Sequence, residues 1–191
     1  MSAFEDMRLV VLGYGYSAAA FVRAIGPGHC TGTTRSAQKA AALRAQGIHA
    51  VVDDGNGQRE LAKALHGATH VLVSAAPGAD GDPFLEAFAA DFHKARDLTW
   101  IGYLSTVGVY GNHDGALIDE DAARRATSQR GVWRVAAEDA WWALGDRLDV
   151  PVGVFRLAGI YGPGRNQLVS LREGRAKRLV KPGQVFNRIH V

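Results

Sequence analysis

The chain has 191 residues, with 22 Lys and Arg against 19 Asp and Glu and a formal net charge of +3. That length suits one domain, or one domain with part of another, and an apolar fraction of 47% is enough for a sizeable core. The mild charge gives little ground for a nucleic-acid partner, and the single cysteine, Cys30, excludes a disulfide framework or cysteine-rich metal site within the chain.

No apolar run reaches the roughly 18 residues of a membrane span. The acidic start Phe4-Glu5-Asp6 does not resemble a signal peptide. A soluble, cytoplasmic protein without membrane or nucleic-acid partners is expected.

The first element is the apolar run Leu9-Val10-Val11-Leu12, which reads as a parallel strand buried on both faces. It enters Gly13-Tyr14-Gly15-Tyr16-Ser17-Ala18 and leaves as an Ala-rich helix. Gly13-x-Gly15-x-x-Ala18 fits the dinucleotide fingerprint: the first glycine for a tight turn, the second for close approach of backbone to a diphosphate, Ala18 for close helix–strand packing. The phosphates would sit at the helix N-terminus, beside Tyr16 and Ser17, where free N–H groups favour negative charge.

A second strand is expected over 29–33, followed by Thr34-Arg35-Ser36 and a helix over 37–46 with Ser36 as its N-cap. NAD-binding proteins place a carboxylate near the end of this strand to accept from the ribose hydroxyls. Here no Asp or Glu occurs between Asp6 and Asp53. Arg35 stands at that place between two hydroxyls, which suits a 2′-phosphate and favours NADP over NAD; the alternative is a solvated arginine.

The third strand, 48–52, ends at Asp53, which either reaches an adenine amino group or begins a polar turn. A helix over 60–66 leads to the fourth strand, 70–74, whose end at Ser74, Ala75 and Ala76 is small enough for a dinucleotide to lie close. His66, His70 and His93 lack metal-ligand spacing, so no metal site is expected. Helices over 83–95 and 132–148 carry apolar faces (Phe84, Leu85, Phe88, Ala89, Phe92; Trp133, Ala137, Ala140, Trp141, Leu144, Leu148). Core packing is the default reading of both faces, a homodimer interface the alternative. With strands at 99–105 and 151–157 the alternation is that of a doubly wound parallel sheet, which binds ligands at the carboxyl ends of its strands.

Two later segments, Tyr103 to Gly111 and Arg156 to Arg165, resemble the "SS…VYG" and "R…YGPGR" signatures of the extended short-chain dehydrogenase/reductases, the NAD-dependent epimerase/dehydratase family. Val185 to Val191 resembles the segment that precedes an Asp-Asp pair in that family. The resemblance implies an α/β Rossmann domain over 1–164 with strand order 3-2-1-4-5-6. Residues 165–191 would begin a small substrate lobe that is expected to be incomplete.

The family's chemistry uses a Ser/Thr and a Tyr-x-x-x-Lys pair. Thr106, with Ser105 beside it, falls on the hydroxyl position. Arg134 occupies the lysine position and Arg130 the tyrosine position, a departure toward the atypical branch of the family. Arginine titrates too high to replace tyrosine as general acid or base. Arg134 retains the ability to bind a ribose, and Arg130 to bind an anion.

Between Arg165 and Arg188 the basic residues Arg165, Arg172, Arg175, Lys177, Arg178, Lys181 and Arg188 face one acid, Glu173. They read either as a site for a phosphorylated or nucleotide-linked substrate or as a solvated face. Two functions follow. One is an NADP-dependent epimerase, dehydratase or reductase acting on a sugar-like or small polar substrate with non-standard catalytic residues. The other is a non-catalytic NADP(H)-binding sensor.

Overall fold

Leu9–Leu12 form β1, and all four residues are buried because the strand lies between two neighbours and two helical layers. In the computed structural model, which describes residues 4, 6–178, 180, 183 and 185–191, β1 is followed by α1 (Tyr16–Ile25), β2 (Cys30–Thr34), α2 (Ala37–Arg44), β3 (His49–Val52), α3 (Gln58–His66) and β4 (His70–Val73). The chain continues through α4 (Pro83–Phe92), β5 (Trp100–Thr106), a 3-10 turn (Val107–Val109), α5 (Gln129–Leu148), β6 (Val152–Leu157), β7 (Gly159–Tyr161), α6 (Gln167–Arg172) and β8 (Arg188–His190). Two residues of the sequence reading, Glu5 and Lys181, lie outside the described residues. Among the described residues no helix is long and apolar enough to cross a membrane.

The first six strands form one parallel sheet in the order β3-β2-β1-β4-β5-β6. The chain winds outward from β1 to β3, then returns to β4 on the other side of β1. The strand order therefore reverses at β1 and β4, and the crevice outside their carboxyl ends is the place where such sheets bind ligands. All six expected strands are present, each starting within one residue of its expected position.

Alternation along β1 divides the core. Val10 and Leu12 join Val71, Val73, Ile101 and Tyr103 beneath α3, α4 and α5, whereas Leu9 and Val11 pack with Ala18 and Val22 of α1 and Ala40 and Leu43 of α2. The largest inserts are aromatic: Trp141 lies edge-on to Phe92 at 5.4 Å and stacks on Tyr103 at 6.3 Å. Of the two expected apolar faces, Phe84, Phe88 and Phe92 are buried, as are Ala137, Trp141 and Leu144. Ala89 and Ala140 are exposed instead, in a shallow surface groove between α4 and α5.

Helix ends follow side-chain caps. Ser128 accepts from the Gly131 amide, so α5 begins three residues before the expected start at Val132. Asp82 accepts from the amides of Phe84 and Leu85 and caps α4, whose Pro83 needs no donor at the first turn.

Past β6, β7 pairs in parallel with β8 as a separate two-stranded sheet, which spans the expected boundary at 164. The layer formed by α1 and α2 does not extend over β6. It leaves an apolar cavity of about 380 Å³ lined by Phe21 and Ala24 of α1, Trp100, Leu104, Phe155 and Ile189.

Burial raises the Cys30 thiol from its ordinary 9.0 to about 12, and the Tyr103 phenol from 10.0 to about 12. Both groups bind their proton more tightly folded than unfolded. Their contribution to stability is complete below pH 9 and is lost as pH rises from about 9 toward 12. Denaturant unfolding at stepped pH should show that alkaline decline, and Tyr103→Phe should make it shallower above pH 10.

Candidate functional site

The turn between β1 and α1 is held from both sides. Gly13 has φ +84°, and a Cβ there would lie 2.7 Å from the Ala75 amide nitrogen, so only glycine fits. Its amide donates to Thr33 Oγ1 at 2.7 Å, and the Tyr14 amide donates to the Thr33 carbonyl at 2.8 Å. On the β4 side, the amides of Ser74 and Ala75 both donate to the Leu12 carbonyl, at 2.8 and 3.0 Å.

Gly15 is the N-cap of α1 and supplies no side-chain cap to the helix amides. A Cβ on Gly15 would meet only Ser74 Oγ at 3.5 Å and the Gly13 carbonyl at 3.9 Å. The first glycine thus closes the turn against β4, while the second leaves backbone open toward the crevice. An uncapped helix start beside open backbone fits the diphosphate of a dinucleotide.

Ala18 is fully buried and seats α1 on the sheet. Tyr16 turns outward, its hydroxyl donating to the Pro163 carbonyl at 3.0 Å. Ser17 lines the apolar cavity beside α1.

The next strand ends place Thr34, Arg35 and Ser36 at the edge of the same crevice. The Thr34 carbonyl accepts from the Asp53 amide at 2.9 Å, joining the ends of β2 and β3. Ser36 caps α2 by accepting from the Lys39 amide at 3.2 Å. Arg35 is exposed and forms neither ion pair nor side-chain hydrogen bond among the described residues. Lys39, absent from the sequence reading, donates its ammonium to the Tyr14 carbonyl of the glycine turn. Asp53 is half-buried, and Ala76 is exposed beyond Ser74 and Ala75.

The four residues assigned to catalysis diverge. Thr106 ends β5, half-buried, and its Oγ1 accepts from the Gly108 amide at 3.1 Å. Ser105, one residue earlier on the opposite face of the strand, is buried and donates to Glu138 Oε1. Arg134 donates to the Leu104 carbonyl at 2.6 Å and the Tyr103 hydroxyl at 3.1 Å, with its guanidinium over the Tyr103 ring. Arg130 is exposed in the first turn of α5.

Glu138 is the centre that sequence reasoning missed. It is fully buried and paired with Arg156 at 3.0 Å and Arg124 at 3.3 Å, besides accepting from Ser105. Arg156 also donates to the Tyr110 hydroxyl and the Glu120 carbonyl, each at 2.8 Å, and its guanidinium lies over the Tyr110 ring. Trp142 receives both Arg124 and Arg156 against its ring. The signal was present in the sequence: Glu138 follows Arg134 by four residues and adjoins the buried Ala137, a carboxylate on a core-facing helix surface.

The described residues after β7 are mostly exposed. Arg175 pairs with Glu173, whereas Arg172, Lys177 and Arg178 are exposed and make no ion pair among the described residues. Lys181 of this basic group lies outside the described residues.

The chain matches no family model and no curated protein. Solved structures do match. A protein from Silicibacter pomeroyi described as functionally unknown is 42% identical, with a TM-score of 0.81 over 95% of this chain and 63% of that one. A candidate NAD-dependent epimerase/dehydratase from Methylobacillus flagellatus is 25% identical, with a TM-score of 0.70 over 96% of this chain and 65% of that one. UDP-glucuronic acid 4-epimerase from Bacillus cereus, solved with NAD, shares the fold at 22% identity and a TM-score of 0.64, over 82% of this chain and 58% of that one. The structural neighbours thus include NAD-dependent epimerase/dehydratase proteins, and the six-stranded sheet is the Rossmann architecture. The chain spans just under two thirds of the length of the first two.

Removing one partner from a buried ion network leaves the others desolvated and unpaired, at a cost of roughly 3–5 kcal/mol. Glu138→Ala should lower the unfolding free energy by about that amount in urea titrations. Arg124→Ala, which removes a more exposed partner, should cost clearly less.

Proposed function

We propose that the chain binds NADP(H) and belongs to an epimerase/dehydratase-type protein that acts on a sugar-like or other small polar substrate. The observation that carries this reading is the glycine turn. Gly13 is locked against Ala75 and Thr33, while Gly15 leaves backbone open at the strand-order reversal of a Rossmann sheet. The structural neighbours support a nicotinamide dinucleotide, since one is described as NAD-dependent and another was solved with NAD.

When bound, the dinucleotide would accept or supply a hydride. The chain's own residues do the rest. The start of α1, with Tyr16, binds the diphosphate. Ser74, Ala75 and Ala76 let the dinucleotide lie close, and Asp53 faces the adenine. Arg35, with Thr34 and Ser36, holds the 2′-phosphate, because the site offers a free guanidinium where an NAD-specific protein needs a carboxylate.

Thr106 donates its hydroxyl proton to the reacting oxygen of the substrate, its lone pair being engaged by the Gly108 amide. Arg130, exposed at the mouth, binds an anionic group of a phosphorylated or nucleotide-linked substrate. Arg134 is held by Tyr103 and Leu104 and orients the end of β5. A cytoplasmic location and a homodimer formed through the exposed faces of α4 and α5 complete the reading.

A second reading, a non-catalytic NADP(H) sensor, is favoured by the commitments of three side chains. The Ser105 hydroxyl is spent on Glu138, Arg134 is spent on Tyr103 and Leu104, and burial pushes the Tyr103 phenol up to about 12, so that it is neutral near pH 7. None of the three is free to exchange a proton near neutrality. The two readings share the cofactor and differ in turnover.

Calorimetric titration should show NADPH binding more tightly than NADH by about tenfold or more, the effect of one charge-assisted phosphate contact. Arg35→Ala should remove most of that difference; equal affinities in the unaltered protein would overturn the 2′-phosphate assignment. Hydride transfer across a panel of sugar nucleotides, abolished by Thr106→Ala, would establish the enzyme. Tight NADPH binding without turnover on any of them would establish the sensor.

A further inference from the structure

Tyr16 is the first residue of α1, directly after the glycine turn, and its side chain leaves the sheet to meet the loop that follows β7. That loop is a tight turn in which Gly162 and Arg165 exchange backbone hydrogen bonds at 2.9 and 3.0 Å. The Tyr16 hydroxyl fastens to it through the Pro163 carbonyl at 3.0 Å. A Cβ at Gly162 would stand 2.6 Å from the Tyr16 hydroxyl and 2.7 Å from a Val191 methyl, so a larger residue there would displace one of these side chains.

The next charged residue of the loop, Arg165, lies with its guanidinium carbon 5.5 Å from the centre of the Tyr16 ring. Among the described residues it is exposed and makes no ion pair and no side-chain hydrogen bond, so its guanidinium N–H donors are uncommitted. Arg175, ten residues on, is already paired with Glu173.

We infer that Arg165, seated on Tyr16, is a binding residue for the diphosphate bridge of the dinucleotide and closes the glycine turn from the side of the C-terminal segment. This rests on the cofactor reading above and adds to it a residue from outside the fingerprint. A planar guanidinium matches two phosphate oxygens at once, and its contact with a ring anchored in α1 restricts the side chain in advance, which lowers the ordering cost of binding. The aromatic at position 16 then has two tasks, holding the loop by its hydroxyl and the arginine by its face.

Calorimetry with two probes separates this role from general charge. NADPH carries the diphosphate, whereas adenosine 2′-monophosphate carries only the 2′-phosphate. Arg165→Ala should weaken NADPH about tenfold, the loss of one charge-assisted phosphate contact, and leave adenosine 2′-monophosphate unchanged. Tyr16→Phe, which keeps the ring and loses the hydroxyl, should give a smaller loss in the same pattern. Arg147→Ala, at the far end of α5, removes one positive charge elsewhere and should change neither affinity.

Unchanged NADPH affinity in Arg165→Ala would overturn the inference while leaving the cofactor reading standing, and so would an equal loss for both probes. Failure of the unaltered protein to bind any nicotinamide dinucleotide would overturn both. Thermal unfolding of each variant, read by circular dichroism, confirms that the comparison is made on folded protein.

Discussion

The absence of a side chain at Gly13 is the constraint on which the crevice depends. The end of β1 passes so close to the end of β4 that one added carbon would collide with the Ala75 backbone. Close approach lets the Thr33 hydroxyl accept from the Gly13 amide and the Leu12 carbonyl accept from the Ser74 and Ala75 amides, so three strand ends are joined at one point. The turn is therefore rigid without any ligand, and Gly15, two residues later, is the position left open. Shape and chemistry are divided between two identical residue types by their neighbours alone.

A second organising element lies one strand over. Glu138 draws charge and hydroxyl groups from β5, β6, α5 and the segment around Glu120 and Arg124 into the interior. Such a network repays its desolvation only when every member is satisfied, and here no buried side-chain donor or acceptor among the described residues lacks a partner. Its influence on the crevice is subtractive. The network engages the Ser105 hydroxyl, whereas Thr106, on the opposite face of the same strand, stays outside it and accepts from the Gly108 amide.

Most of the architecture was legible in the chain. Apolar strands buried on both faces read as continuous runs, and the punctuation by Gly13, Ser36, Pro83 and the small residues after β4 marked where each strand gives way to a helix. The glycine turn was legible for the same reason, since backbone geometry limits the residues allowed there. Contacts between distant segments were not. That Ser105 faces Glu138, that Arg134 reaches back to Leu104, and that Tyr16 meets Pro163 each depend on how separate elements pack, which local pattern does not encode. Ala89 and Ala140 show the converse limit: alanine suits a core face and an exposed helix face equally, so periodicity placed them inside and packing left them out.

The open cavity beside α1 bears on how stability is distributed. β6 is one of the two edge strands of the sheet, and on the cavity side it has no helix above it, leaving Phe155 45% exposed. Regions with few buried apolar contacts open locally at lower free energy than the core, and β6, partly exposed along its length, is less covered than β1 and β4. Arg156 rides on that strand. The ion network around Glu138 is thus anchored on its outer side by an edge strand that is open on one face. The segment around Glu120 and Tyr110 is tied to the sheet through the Arg156 side chain on that strand.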